Sequence, residues 1–328
     1  MPPAATYDDP EDTGPVVART KAGRALEAIS DAIDEVNILK AQNKNHTAGT
    51  PEASPSSTSL VTSAEKDPAQ FRRYADACDR VRAFYREQHT KQTVAYNRAA
   101  RARFHDPNRR RPRLGIWAAM QTLDALTDDS DPDTELSQLQ HLLQTAEALR
   151  RDGRPRWMQA TGLVHDLGKL VLVFGDAPGQ WSVVGDTFPV GCAFDRAAIV
   201  YPDTWDGNPD AADPVYATRH GIYAPHCGLD AVMLSWGHDE YLYHVLRDQS
   251  RLPAEGLAMV RYHSFYAWHR EGGYRHLMND KDYALLAAVR AFNPYDLYSK
   301  SDAPPDVEAL KPYYMELIDE FFPPVIEW

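Results

Sequence analysis

The sequence predicts an all-α protein with one small β-hairpin, and three observations lead there. Apolar residues recur at helical spacing in stretch after stretch between residues 71 and 322. One place breaks that period: Gly185-Asp186, a two-residue turn signal, lies between the short β-prone runs Trp181-Ser182-Val183-Val184 and Thr187-Phe188-Pro189-Val190. Internal repeats, which would indicate a stacked array, are not visible.

Taken in order, residues 1–66 read as an appendage. Residues 1–15 are rich in Pro and acid, and residues 42–66 are dominated by Asn, Thr, Ser, Pro and Ala, so both are expected to be disordered. Between them Ala22, Leu26, Ile29, Ile33 and Val36 mark a short amphipathic helix. A single functional body is expected over residues 67–328. Phe71, Tyr74, Cys78, Val81 and Tyr85 open its first helix, and the pattern runs on through Thr93 to Arg103. The arginine-rich loop 103–113 reads as solvated surface. A helix over 116–126 ends in the acidic loop Asp128-Asp129-Ser130-Asp131-Pro132-Asp133, which suits a helix-capping loop as well as a cation or polyol site.

The next helix, 135–150, has the stripe Leu136, Leu139, Leu142, Leu143, Ala146 and Leu149. His141 points away from it, beside Thr145 and Ala148, toward either solvent or a second interface. A helix over 157–174 follows, with the hairpin packed near its end. Residues 201–226 form a long irregular connection. Helices return at 229–246, with a break at Gly237, and at 257–269, where Met259, Val260, His263 and Ala267 share a face. Residues 282–292 are the last strong helix before Asn293-Pro294-Tyr295-Asp296, and 313–322 closes the chain.

Composition narrows the function. The net charge of −12 disfavours a protein held to nucleic acid by phosphate contacts. No apolar run approaches the ~18 residues of a membrane span. Three cysteines, Cys78, Cys192 and Cys227, lack metal-binding spacing. With no basic and apolar leader at the start, a cytoplasmic enzyme is the expectation.

The segment Leu163-Val164-His165-Asp166-Leu167-Gly168-Lys169 organises the rest. Ionisable groups in a buried helix are costly unless paired or bound to a metal. His165 and Lys169 share a helix face, with Asp166 about a quarter turn round. Alone, the pair also fits a satisfied core histidine with an exposed aspartate. Collected over the chain, however, His141, His165, Asp166, His238 and His263 fall within helical runs, and Asp296 lies just beyond one. That set suffices for two metals sharing a bridging carboxylate, and imidazole with carboxylate suits Fe, Mn or Zn.

His141, then His165-Asp166, then a distant Asp296 resembles the H…HD…D pattern of the HD-domain superfamily of helical metalloproteins. The resemblance narrows with the acidic loop above, Gln144-Thr145-Ala146-Glu147, Val184-Gly185-Asp186-Thr187-Phe188-Pro189-Val190-Gly191-Cys192, Ser235-Trp236-Gly237-His238-Asp239-Glu240-Tyr241 and Arg261-Tyr262-His263-Ser264-Phe265-Tyr266. In that order these segments are similar to the inositol oxygenase family, over about residues 71–328. The resemblance implies an HD-domain-like bundle with the hairpin near a metal site. It also implies a mixed-valent Fe(II)/Fe(III) pair and O2-dependent cleavage of the C1–C6 bond of myo-inositol to D-glucuronate.

By the same resemblance one iron is held by His141, His165, Asp166 and Asp296, and the other by His238, His263 and the bridging Asp166. Substrate contacts fall on Arg72, Asp128, Asp131, Lys169, Gly185, Asp186, Ser264 and Lys300. Lys169 and Asp166 would carry the catalytic roles. The chemistry is consistent: an uncharged polyol needs many hydrogen bonds, and an ammonium beside a metal favours a developing alkoxide. A metal-dependent phosphohydrolase of the same superfamily is the alternative, but it would line its pocket with Arg or Lys, and these motifs are acidic. A non-catalytic protein on a decayed scaffold would lack ligands, and none is missing. The small polyol is the expected partner, with neither nucleic acid nor membrane, and a monomer is expected.

Overall fold

The computed structural model describes residues 79–126, 137–298 and 305–328. The helix expected around Ala22–Val36, and with it Arg72, Asp128, Asp131 and Lys300, lie outside the described residues. Within them the chain is mainly helical, as the periodicity predicts. Helices α1 (Asp79–Lys91) and α2 (Val94–Phe104) are divided at Thr93, whose side chain caps α2 by accepting from the Tyr96 amide. After α3 (Ile116–Leu123), a capping box between Ser137 and Gln140 starts α4 (Gln138–Arg151). Helix α5 (Arg156–Val164) passes through a 3-10 turn, Leu167–Lys169, into the short α6 (Leu170–Val173). Then come α7 (His238–Arg247), α8 (Ala254–Tyr262), α9 (Tyr266–His269), α10 (Asp280–Tyr298) and α11 (Val307–Phe321). No helix among the described residues is long and apolar enough to cross a membrane.

Helix α4 packs on α5 and α10, and α8 packs on α5 and α10, so these four close a ring; α7 lies against α8 and the 3-10 turn. The expected leucine stripe of α4 is buried at Leu142, Leu143, Ala146 and Leu149. Thr145 and Ala148, on the His141 side, are buried as well, so α4 has two interfaces and His141 faces the second. Met158, Met259, Phe292 and Tyr295 fill the ring's other layer. Burying each such side chain contributes roughly 1.5–3 kcal/mol, which offsets the cost of enclosing polar groups among them.

Three local expectations are corrected. Residues 181–190 do not form the hairpin. Val183 and Val184 close a tight turn on the Gln180 carbonyl, while the extended 187–190 stretch bonds to Ser264, Met233 and Ser235 instead. The run is buried on both sides of Gly185 rather than alternately, so pairing its two halves would satisfy neither face. The small antiparallel pair is built from β1 (Arg113–Leu114) and β2 (Ile326–Glu327), with Trp328 buried beside them and its indole donating to the Leu114 carbonyl. The 157–174 helix is interrupted at His165-Asp166, and Asp296 lies inside α10, not beyond it. Pro294 removes one backbone donor there, but the packing of Phe292 and Tyr295 on either side carries the helix through.

Helices α7 and α8 are joined by a buried ion pair. Arg261 grips Glu240 with two hydrogen bonds, of 2.7 and 3.0 Å, and Arg101 adds a third of 2.9 Å. Burial would raise the Glu240 carboxyl, but Arg261 above all, with His244 and Arg101, holds it well below its usual 4.5. A depressed folded-state value means that this stability is present above pH 4.5 and is lost as the pH falls below it. Arg261→Met is therefore expected to destabilise the fold by about 3–5 kcal/mol at neutral pH, by stranding a buried carboxylate. The deficit should shrink on acidification. Urea unfolding at two pH values measures both.

Candidate metal centre

The six residues of the mixed imidazole and carboxylate set come from five places. His141 lies in the first turn of α4, His165-Asp166 at the end of α5, His238 at the start of α7, His263 just past α8, and Asp296 within α10. The fold brings all six together, five of them buried and His141 partly so. On one side Nε2 of His141 and of His165 are 3.2 Å apart and lie 3.2 and 3.1 Å from Asp296 Oδ1. On the other, Nε2 of His238 and of His263 are 3.2 Å apart. Asp166 stands between. Its Oδ2 is 3.6 and 3.7 Å from the first pair of nitrogens, and its Oδ1 is 3.4 and 3.5 Å from the second.

Whether the set suits a cation is tested by the far side of each ring. His165 Nδ1 donates to the Gly162 carbonyl at 2.9 Å, His238 Nδ1 to Val183 at 2.7 Å and His263 Nδ1 to Val260 at 3.1 Å. A carbonyl only accepts, so each Nδ1 carries a proton and Nε2 is the nitrogen that faces inward. Carboxylates gathered at so short a range need positive charge among them, supplied by imidazole protons or by a bound cation that replaces those protons. Donor atoms ~2.1 Å from one first-row cation stand about 3.0–3.4 Å from each other, which the imidazole and Asp296 separations match and the Asp166 distances exceed by at most 0.3 Å. The residues fit two metal positions sharing Asp166.

Charge within the cluster is balanced despite burial. Burial opposes the Asp166 carboxylate, but the Lys169 ammonium and then His165 hold it well below the usual range. Lys169 is itself buried and donates to Asp166 Oδ2 at 2.8 Å and to Gln138 Oε1 at 3.3 Å. Burial would lower His238, yet Asp239 and Asp166 push it up to about 9.

Of the other expected substrate residues within the described chain, Ser264 lies beside the second imidazole pair. Ser264 Oγ is 3.2 Å from His238 Nε2. Asp186 is buried and accepts from the Tyr85 hydroxyl at 2.9 Å. Gly185 has a φ of +88°, and a Cβ there would stand 2.7 Å from Phe84 and 2.8 Å from Gln88, so only glycine fits the turn. Sequence reasoning missed Tyr85, Gln88 and Asp239. The signal for Asp239 was available, since it follows His238 as Asp166 follows His165.

Gly168 decides how near the two halves approach. A Cβ at this position would meet the His238 carbonyl oxygen at 2.0 Å, so the turn after Asp166 rests directly on the start of α7. Gly168→Ala is expected to cost about 1–3 kcal/mol through overpacking and to move His238 away from Asp166. Thermal unfolding and iron content of the variant check this, and wild-type values in both would show that the contact yields freely.

A family model described as Myo-inositol oxygenase matches residues 78–328. A probable inositol oxygenase of Oryza sativa subsp. japonica is 48% identical over 265 residues, 79% of this chain and 85% of that protein. The inositol oxygenase of Danio rerio is 45% identical over 268 residues, covering 80% and 95% of the two chains. That of Homo sapiens is 44% identical over 267 residues, covering 80% and 92%. The matched span contains every clustered histidine and aspartate, and similarity of this extent makes the chain a member of the myo-inositol oxygenase family.

Proposed function

We propose that this protein is a di-iron inositol oxygenase that uses O2 to cleave the C1–C6 bond of myo-inositol, giving D-glucuronate and water. The observation that carries the reading is the division of Asp166, with one oxygen toward His141 and His165 and the other toward His238 and His263. In this reading one iron takes His141, His165, Asp166 and Asp296, and the other takes His238, His263 and Asp166. When bound, a mixed-valent iron pair supplies O2 activation and Lewis-acid polarisation of the substrate hydroxyls. Residues 67–328 form the catalytic unit, acting as a cytoplasmic monomer.

The chain's own groups bind and orient the polyol. Asp186, its carboxylate steadied by Tyr85, accepts from substrate hydroxyls, and the Gly185 turn presents it. Ser264, beside His238, offers a hydroxyl that can donate or accept. Lys169 has an ammonium already committed to the metal-facing oxygen of Asp166, and it donates to the substrate oxygen on which negative charge develops. Arg72, Asp128, Asp131 and Lys300 complete the substrate contacts. Lys169, Asp186 and Ser264 are all buried, so an incoming hydroxyl exchanges water for fixed partners in a low-dielectric site.

Oxygen uptake by the iron-loaded full chain tests the reading: one O2 consumed and one D-glucuronate formed per myo-inositol is expected. Absence of inositol-dependent uptake with two irons bound would overturn it. Lys169→Ala is expected to keep both irons and its helical content while losing at least about ten- to a hundredfold in kcat/KM, the worth of a charge-assisted hydrogen bond of roughly 1.5–3 kcal/mol. An unimpaired variant would place the substrate on another side of the metals.

A further inference from the structure

One face of α1 holds the 184–186 turn at two levels. Tyr85 and Gln88 are three residues apart, so their side chains leave the helix on the same side, and both are buried. The Tyr85 hydroxyl donates to the Asp186 carboxylate at 2.9 Å. Gln88 takes the backbone instead. Its Nε2 donates to the Val184 carbonyl at 2.9 Å and to the Asp186 carbonyl at 3.3 Å, one residue to either side of Gly185. Both carbonyls only accept, so the NH2 end of the amide must face them. The amide lies against Gly185 itself, where a Cβ would stand 2.8 Å from Nε2.

We infer that Gln88 is a positioning residue for the polyol: it fixes where the Asp186 carboxylate stands by clamping the peptide on both sides of Gly185, and it acts through Asp186 rather than on the substrate. The inference rests on the proposed function and deepens it. The upstream half of the turn has supports of its own, since the Val183 and Val184 amides donate to the Gln180 carbonyl and the Val183 carbonyl is held by His238. Downstream, the Thr187 amide donates to the Ser264 carbonyl. Gln88 spans the stretch between these points. Its helix is a fixed base: Asn208 donates to the His89 carbonyl at 2.6 Å, and Gln92, just past α1, donates to the Trp236 carbonyl at 3.1 Å. Asp186 meets hydroxyls in the bound substrate and in the transition state alike. Misplacing it therefore weakens binding without slowing the chemistry, which is a rise in KM at unchanged kcat.

Gln88→Met keeps the length of the side chain and removes both donors. The iron-loaded full chain is assayed for O2 uptake with myo-inositol, and myo-inositol binding is measured by calorimetry without O2. Gln88→Met should raise KM and Kd together by at least about fivefold, with kcat within about twofold of wild type and both irons retained. A double-mutant cycle with Asp186→Asn separates positioning from mere packing. If Gln88 acts through Asp186, adding Gln88→Met to Asp186→Asn should weaken binding by less than about a further twofold. Gln88→Leu, which removes the same donors from a shorter side chain, repeats the cycle independently of how methionine packs. Wild-type KM and Kd in the Gln88 variants, a loss confined to kcat or iron content, or full multiplication of the two losses would overturn the role of Gln88 and leave the proposed function standing. A wild-type chain that takes up no O2 with myo-inositol would overturn the proposed function itself.

Discussion

Asp166 is a carboxylate enclosed by helices, and the surrounding architecture answers the cost of taking that charge out of water. Desolvation of a lone carboxylate is prohibitive, so the neighbours are cationic or able to hold a cation: Lys169 at 2.8 Å and imidazole nitrogens at 3.4 to 3.7 Å. Lys169 and His165 are local to Asp166, but His141, His238 and His263 come from separate helices and reach it only when the ring of α4, α5, α8 and α10 closes and α7 lies against the turn at Gly168. The Glu240–Arg261 pair fastens α7 to α8 two residues from His238 and His263 respectively. Packing elsewhere in the ring supplies the free energy that holds these charges together.

The ends of helices do the placing. His165 follows the last residue of α5 and His263 the last residue of α8, and each ring bonds to the carbonyl three residues earlier. A helix end leaves its last carbonyls unpaired. Here an imidazole takes one of them, which satisfies the helix and fixes the tautomer in a single contact. His238 reaches a similar result from the opposite end, as the first residue of α7, by using a carbonyl from the 180–184 turn.

Much of this was legible in the residues. Helical periodicity located α4, α8 and α11, and the costly placement of His165 and Asp166 in an apolar run marked the polar centre. Spacing could not decide which way His141 faced, because an apolar stripe specifies one face of a helix and is silent about a second; the burial of Thr145 and Ala148 decides it. Pro294 read as a helix end, since local propensity does not register the tertiary packing of Phe292 and Tyr295. The β-prone residues of 181–190 were read as two paired strands. Their partners are Met233, Ser235 and Ser264, distant in sequence and invisible to a local pattern. Asp239 went unread because its approach to His263, at the end of another helix, is a tertiary contact.

The Val183 carbonyl accepts both the backbone amide and the Nδ1 proton of His238, each at 2.7 Å. One oxygen thus pins an inward-facing imidazole to the strand of chain that turns, two residues later, at Gly185-Asp186. Such a joint has no slack: a tilt of the ring moves the carbonyl, and the carbonyl moves the turn, with no flexible side chain between them to absorb the displacement. In the proposed function the seating of a cation and the shape offered to a sugar alcohol are therefore one mechanical coordinate, and the chain cannot adjust either without registering it in the other.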